Sequence, residues 1–149
     1  VAHENDGVVR EYDRSGAALW TFDVPLFGRD RAPGHGLEAH GDQCFEAIRR
    51  SDGDTLITTG NGSSLVCVTP EGEVRWRKGA EDLDGVQLAW VTTVQELGNG
   101  NLILGNCHAG DEQPQAIEIR PDGAVEWTFR DFERFGNGLS NLHVIEEAR

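Results

Sequence analysis

Hydrophobic and polar residues alternate along most of this chain with a period of two. In residues 65–78, LVCVTPEGEVRWRK, two alternating runs flank a Pro-Glu-Gly turn. Residues 116–129, AIEIRPDGAVEWTF, and residues 8–22, VVREYDRSGAALWTF, repeat the arrangement. In each segment a glycine sits four residues before a tryptophan: Gly16 and Trp20, Gly72 and Trp76, Gly123 and Trp127. Period two sends successive side chains to opposite faces of a strand, and Pro, Asp and Gly supply a tight reversal, so each segment predicts a β-hairpin. The inward positions are expected to be Val66, Val68, Val74 and Trp76 in one hairpin, and Ile117, Ile119, Val125 and Trp127 in another. A further strand pair precedes two of the hairpins. Residues 45–62 read FEAIRRSDGDTLITTGNG and residues 91–106 read VTTVQELGNGNLILGN, so that Leu56 matches Leu102. No stretch longer than ten residues carries a 3.6-residue period, and almost no helix is expected.

Four antiparallel strands, A to D, recur: 56 residues separate Trp20 from Trp76 and 51 separate Trp76 from Trp127. Such a repeat predicts an all-β chain of β-propeller blades. Trp20, Trp76 and Trp127 are then structural residues that pack between neighbouring blades. The chain opens in a strand B, and residues 140–149, SNLHVIEEAR, fit a strand A in which Val144-Ile145-Glu146-Glu147 matches Thr93-Val94-Gln95-Glu96. The expected order is B-C-D, A-B-C-D, A-B-C-D, A. Residues 1–149 form a single unit, with blade material at 1–24, 44–78 and 90–130 and a closing strand at 140–149. Three blades cannot close a ring, and the unpaired strand A complements the incomplete first blade. Two copies joined head to tail would make a six-bladed ring as a homodimer.

The Gly-Asn-Leu-Ile-Leu step at residues 100–104, followed by IEIRPDGAVEW at 117–127, resembles repeats of the quinoprotein-like (PQQ-like repeat) β-propellers, with some likeness to arylsulfotransferase-type propellers. The resemblance spans nearly the whole chain and implies the propeller fold. It does not imply one chemistry, because such blades serve many. The adjacent cysteine pair associated with quinone-cofactor dehydrogenases is missing, and the blades are too few for those eight-bladed enzymes. The full His-His-Asp pattern of a sulfotransferase-type propeller is missing too; Trp90 and Val91 stand where it would fall.

Composition narrows the function classes. Asp plus Glu number 26 against 13 Lys plus Arg, a net charge of −13. Phosphate backbones and anionic membranes are repelled by such a surface, so nucleic-acid and membrane partners are excluded as main functions. No apolar run approaches the roughly 20 residues of a membrane span, and no signal peptide is recognisable, so the chain reads as soluble. Cys44, Cys67 and Cys107 are widely spaced and read as small buried residues rather than a disulfide framework or zinc ribbon. The sequence contains no Met and starts at Val1, as expected of a processed, trimmed or excised chain.

The candidate chemistry lies in the loops. A–B and C–D turns are short throughout, whereas insertions fall in one D–A connection (27–42) and one B–C connection (109–113), which share a face. Loops elaborated on a constant scaffold are the usual carriers of function. All five histidines, His3, His35, His40, His108 and His143, map to that face. His40 with Asp42, and Asn141 with His143, stand two apart, as two ligands of one ion or a base and its orienter would. Trp90 stands where strand A enters the channel, either to stack on a sugar or aromatic ring or to plug the channel. The candidate ligand site is therefore Trp90, His40, Asp42, His108, Asn141 and His143, with His40 and His143 as ligands of a divalent metal ion. Gln87 and Asn137 are positioned to add polar contacts. Three readings follow: a non-catalytic binding and assembly module that partners itself, a metal-dependent lyase or hydrolase with its site at the histidine-bearing channel mouth, and an engineered or excised fragment without activity. The first is preferred, because no catalytic constellation is complete; a small molecule or sugar at the channel mouth is its expected ligand.

Overall fold

The computed structural model describes residues 1–145 and is built almost entirely of strands. The first sheet contains β1 (Ala2–His3), β2 (Val8–Tyr12) and β3 (Ala18–Asp23). The second contains β4 (Glu46–Arg49), β5 (Thr55–Thr58), β6 (Ser64–Val68) and β7 (Val74–Gly79). The third contains β8 (Trp90–Glu96), β9 (Leu102–Cys107), β10 (Ala116–Ile119) and β11 (Val125–Phe129). Every pairing is antiparallel between consecutive strands, so each sheet is a meander and has the form of a propeller blade. The first sheet has strands B to D and the other two have A to D. Helix is confined, among the described residues, to two single 3-10 turns and the one-turn α1 (Phe132–Phe135), which Asp131 caps by accepting from Arg134 N–H.

The core lies between the sheets. Neighbouring residues of β5 and β6 point alternately into two clusters. Leu56, Leu65 and Cys67 face the third sheet, where Val91, Val94, Leu104 and Ile117 meet them. Ile57, Val66 and Val68 face the first sheet and pack on Val9, Phe22 and Cys44. The middle blade is thus apolar on both faces, and each fully buried Leu, Ile or Val contributes about 1.5–3 kcal/mol.

The inward positions expected from simple alternation need correction. Each C–D hairpin contains a β-bulge, at Glu11/Tyr12, Cys67/Val68 and Glu118/Ile119. The extra residue resets the register, so Trp20 faces Glu11, Trp76 faces Cys67 and Trp127 faces Glu118. Trp76 therefore packs with Leu65 and Cys67 toward the third sheet, while Val66 and Val68 point to the first. Likewise Ile117 and Ile119 face the middle blade, and Trp127 faces away from it.

Polar groups tie the blades together. The Glu46 carboxylate accepts from Val94 N–H at 2.7 Å and lies 3.0 Å from Thr93 Oγ1. Thr58 Oγ1 donates to Thr92 O, and Gly60 and Val91 exchange two backbone hydrogen bonds. Arg50 grips Glu96 through two nitrogens. Beyond α1 the chain returns along β8: Val144 N–H donates to Gln95 Oε1, and Gln95 Nε2 donates to Val144 O. Residues 141–145 lie in this path without strand pairing, and residues 146–149 of the expected closing strand lie outside the described residues.

Candidate functional site

Three aromatic rings gather where β8 and β9 meet the long connections. Trp90 opens β8 opposite Cys107 in the β-ladder and is 4 % exposed. Its indole lies against Gly60, whose φ is +47°; a β-carbon there would stand 3.4 Å from the ring. The His35 ring, on the exposed connection between β3 and β4, covers the indole at 4.6 Å between ring centres. His108 follows β9 and lies 5.2 Å from His35 and 6.3 Å from Trp90.

His108 is held in an unusual backbone state, φ +58°, which disfavours ordinary side chains. Asn137 secures it: His108 N–H donates to Asn137 O at 3.0 Å, and Gly110 N–H donates to Asn137 Oδ1. The Cys107 thiol donates to the same Asn137 carbonyl at 2.8 Å and lies 3.0 Å from His108 Nδ1. Burial first, and then the neighbouring charge of His35, hold His108 below the ordinary imidazole value. Burial raises the Cys107 thiol, so it is not a ready nucleophile.

The loops around this cluster are set by buried amides. Asn106 Oδ1 accepts from Ala89 N–H, and its Nδ2 donates toward Gln87 O and Pro114 O. Gln87 N–H in turn donates to Gln113 Oε1. One side chain thereby joins the approach to β8 with the connection between β9 and β10.

The remaining candidates stand elsewhere. His40 is 2 % exposed; its Nε2 donates to Leu26 O at 2.9 Å, and its backbone pairs with Ala32. Its Nδ1 is buried without a hydrogen-bond partner among the described residues. Asp42 forms a two-pronged ion pair with Arg31, which lowers its carboxyl below the usual range. His40 and Asp42 thus brace the long connection from within. Asn141 and His143 run beside β8 on the return path, where Asn141 Oδ1 and the Glu46 carboxylate share the single proton of Thr93 Oγ1. The structure brings Trp90 and His108 together and adds His35, which belonged to the histidine-rich face without a place at the site. Its signal in the sequence was the length of its connection, and nothing local aimed its ring at Trp90. Among the described residues, no group of three or more His, Cys, Asp or Glu is placed to hold a metal ion.

A family model described as outer membrane protein assembly factor BamB, of the PQQ-like repeat type, matches residues 5–142. No curated protein matches the chain. Among solved structures, a protein of unknown function from Bacteroides caccae is similar, with 26 % identity and a TM-score of 0.67. The match covers 89 % of this chain and 45 % of that one, so the present chain corresponds to about half of the larger protein.

Proposed function

The chain belongs to the PQQ-like repeat family whose model is described as outer membrane protein assembly factor BamB, and on that premise we propose that it is a non-catalytic binding and assembly module completing a propeller ring with a second copy of itself. One observation carries the reading. Trp20 and Trp76 are half-buried between successive sheets, whereas Trp127, their counterpart in the last sheet, is 46 % exposed. It lines an open cleft with Ile103, Glu118 and Val144 on the flank where a following blade would stand. The first sheet has the opposite deficit: among the described residues it contains only strands B to D, and the segment that returns beside β8 through Val144 would supply the missing strand A to a second copy. Seating β1, β2 and β3 of a second copy on this flank fills both gaps and covers Trp127. Three blades from each copy make a ring of six. That the larger Bacteroides caccae chain matches over only 45 % of its length fits a half-ring unit.

The histidine-bearing mouth around Trp90 and His108 is the binding surface in this reading. No nucleic-acid partner is proposed, given the net charge of −13. Native mass spectrometry at neutral pH tests the assembly. A species of twice 16.3 kDa is expected, and Trp127→Asp should convert it to monomer. A wild-type chain that stays monomeric at micromolar concentration would overturn the homodimer.

A further inference from the structure

The proton inventory around His108 is determined by its neighbours. Cys107 carries one thiol proton, and the 2.8 Å contact directs it to Asn137 O. The 3.0 Å contact between Cys107 Sγ and His108 Nδ1 is then a hydrogen bond only if Nδ1 carries the proton and donates to sulfur. Nε2 of His108 is left with its lone pair free. This is the arrangement of a metal-binding histidine whose outer nitrogen is oriented by a second group. The ring is also fixed in place, because Asn137 locks the backbone on both sides of it.

His35 supplies the second nitrogen. Its ring is exposed, and among the described residues no hydrogen bond engages it. With zinc–nitrogen bonds of about 2.0–2.1 Å and ring centres about 1.1 Å behind the nitrogens, two imidazoles on one tetrahedral ion have centres about 5 Å apart. Here the centres are 5.2 Å apart. Trp90 packs against the same His35 ring at 4.6 Å between ring centres, which gives that exposed side chain a fixed neighbour. Asp111 and Glu112 lie in the same connection as His108 and add negative potential that attracts cations.

We propose that His35 and His108 form a two-histidine site for a borderline divalent transition-metal ion, with zinc the reference ion, whose other coordination positions are filled by water or by a bound ligand. Imidazole nitrogen suits zinc, copper and nickel, whereas calcium and magnesium require oxygen donors. The site differs from a His40–His143 pair: His40 spends Nε2 on Leu26 O and is enclosed by its own loop. Both ligands come from one chain, so the site is independent of ring closure and stands or falls apart from it.

Calorimetric titration with Zn²⁺, followed by Co²⁺ absorption spectroscopy, tests the proposal. One Zn²⁺ per chain is expected, with a Co²⁺ visible spectrum that Zn²⁺ abolishes. His35→Ala and His108→Gly should each weaken binding at least about tenfold, the lower bound for disturbing even an outer-shell partner. Glycine suits the +58° backbone angle, and His35 is exposed, so both variants are expected to retain the wild-type melting transition. His3→Ala and His143→Ala should leave the affinity unchanged. Absence of saturable Zn²⁺ binding, affinity that survives both His35→Ala and His108→Gly, or loss in the His3 or His143 variants instead would each overturn the assignment.

Discussion

Single side chains carry more of this fold's polar organisation than the residue types alone suggest. The three cysteines are free and buried, and each also makes a hydrogen bond. Cys67 Sγ donates to Asp54 Oδ2 at 3.4 Å, and burial together with that carboxylate pushes the thiol up to about 11. Its folded value lies above the ordinary 9.0, so the stability it contributes is intact below pH 9 and is lost as pH rises toward 11. Melting of Cys67→Ala and wild type across pH 8–11 should therefore show wild type losing its advantage in that window. The native thiol should also resist a disulfide reagent at pH 8 until the chain is unfolded. Asp54 has the opposite sign. Arg75, then the Cys67 thiol, stabilise its carboxylate and lower its value below 3.8. That contribution exists above the ordinary carboxylate range and disappears as pH falls through the folded value. Asp54→Asn should lower the urea midpoint at pH 7, and the gap from wild type should close near pH 2; an equal gap at both pH values would contradict the ion-pair origin.

At the level of elements, the decisive feature is the difference between middle and outer strands. Leu104, in β9, is fully buried between two sheets, whereas Leu19, in β3, is 64 % exposed. Leu104→Ala should cost about 2–5 kcal/mol by denaturant unfolding, whereas Leu19→Ala should change stability by less than about 0.5 kcal/mol. The turns were legible in the sequence because Gly16, Gly72 and Gly123 occupy the one position in each hairpin that needs a positive φ. The bulge beside each turn was not legible. It follows from the strand partner, since only pairing shows two residues facing one, and so the expected grouping of Trp76 with Val66 and Val68, and of Trp127 with Ile117 and Ile119, does not hold. The same limit applies to the loops. Two-residue spacing suggested that His40 and Asp42 act together as ligands, but a loop closed by the Ala32–His40 bridge and the Arg31–Asp42 pair directs them to separate tasks.

For the whole molecule, the three tryptophans provide a direct comparison of an internal and an open interface. Trp76 packs against the apolar cluster between the second and third sheets. Trp76→Ala should destabilise the chain by roughly 3 kcal/mol, the low end for a tryptophan that is only half-buried. Trp127→Ala should alter unfolding of the separated chain by less than about 1 kcal/mol, yet raise the dissociation constant of the proposed dimer at least about tenfold, as loss of an interface aromatic does. Sedimentation across a concentration series distinguishes the two effects. Equal losses of chain stability in both variants would mean that Trp127 is already fully packed within its own chain.

Period-two patterning and recurring turn residues determined by themselves that this chain forms short antiparallel meanders, because alternation and tight reversals are local properties. They also determined the order of the eleven strands found among the described residues, whereas the expected twelfth, at 140–149, shows no strand pairing over residues 141–145. Tertiary structure alone decided which neighbour each strand face meets, since a bulge reverses that choice without altering composition. It alone decided which histidines meet as well: His35 reaches Trp90 and His108 across more than fifty residues of chain, while His40 turns inward to a carbonyl of its own loop. Contacts of that range depend on how whole blades pack, and no local pattern encodes them.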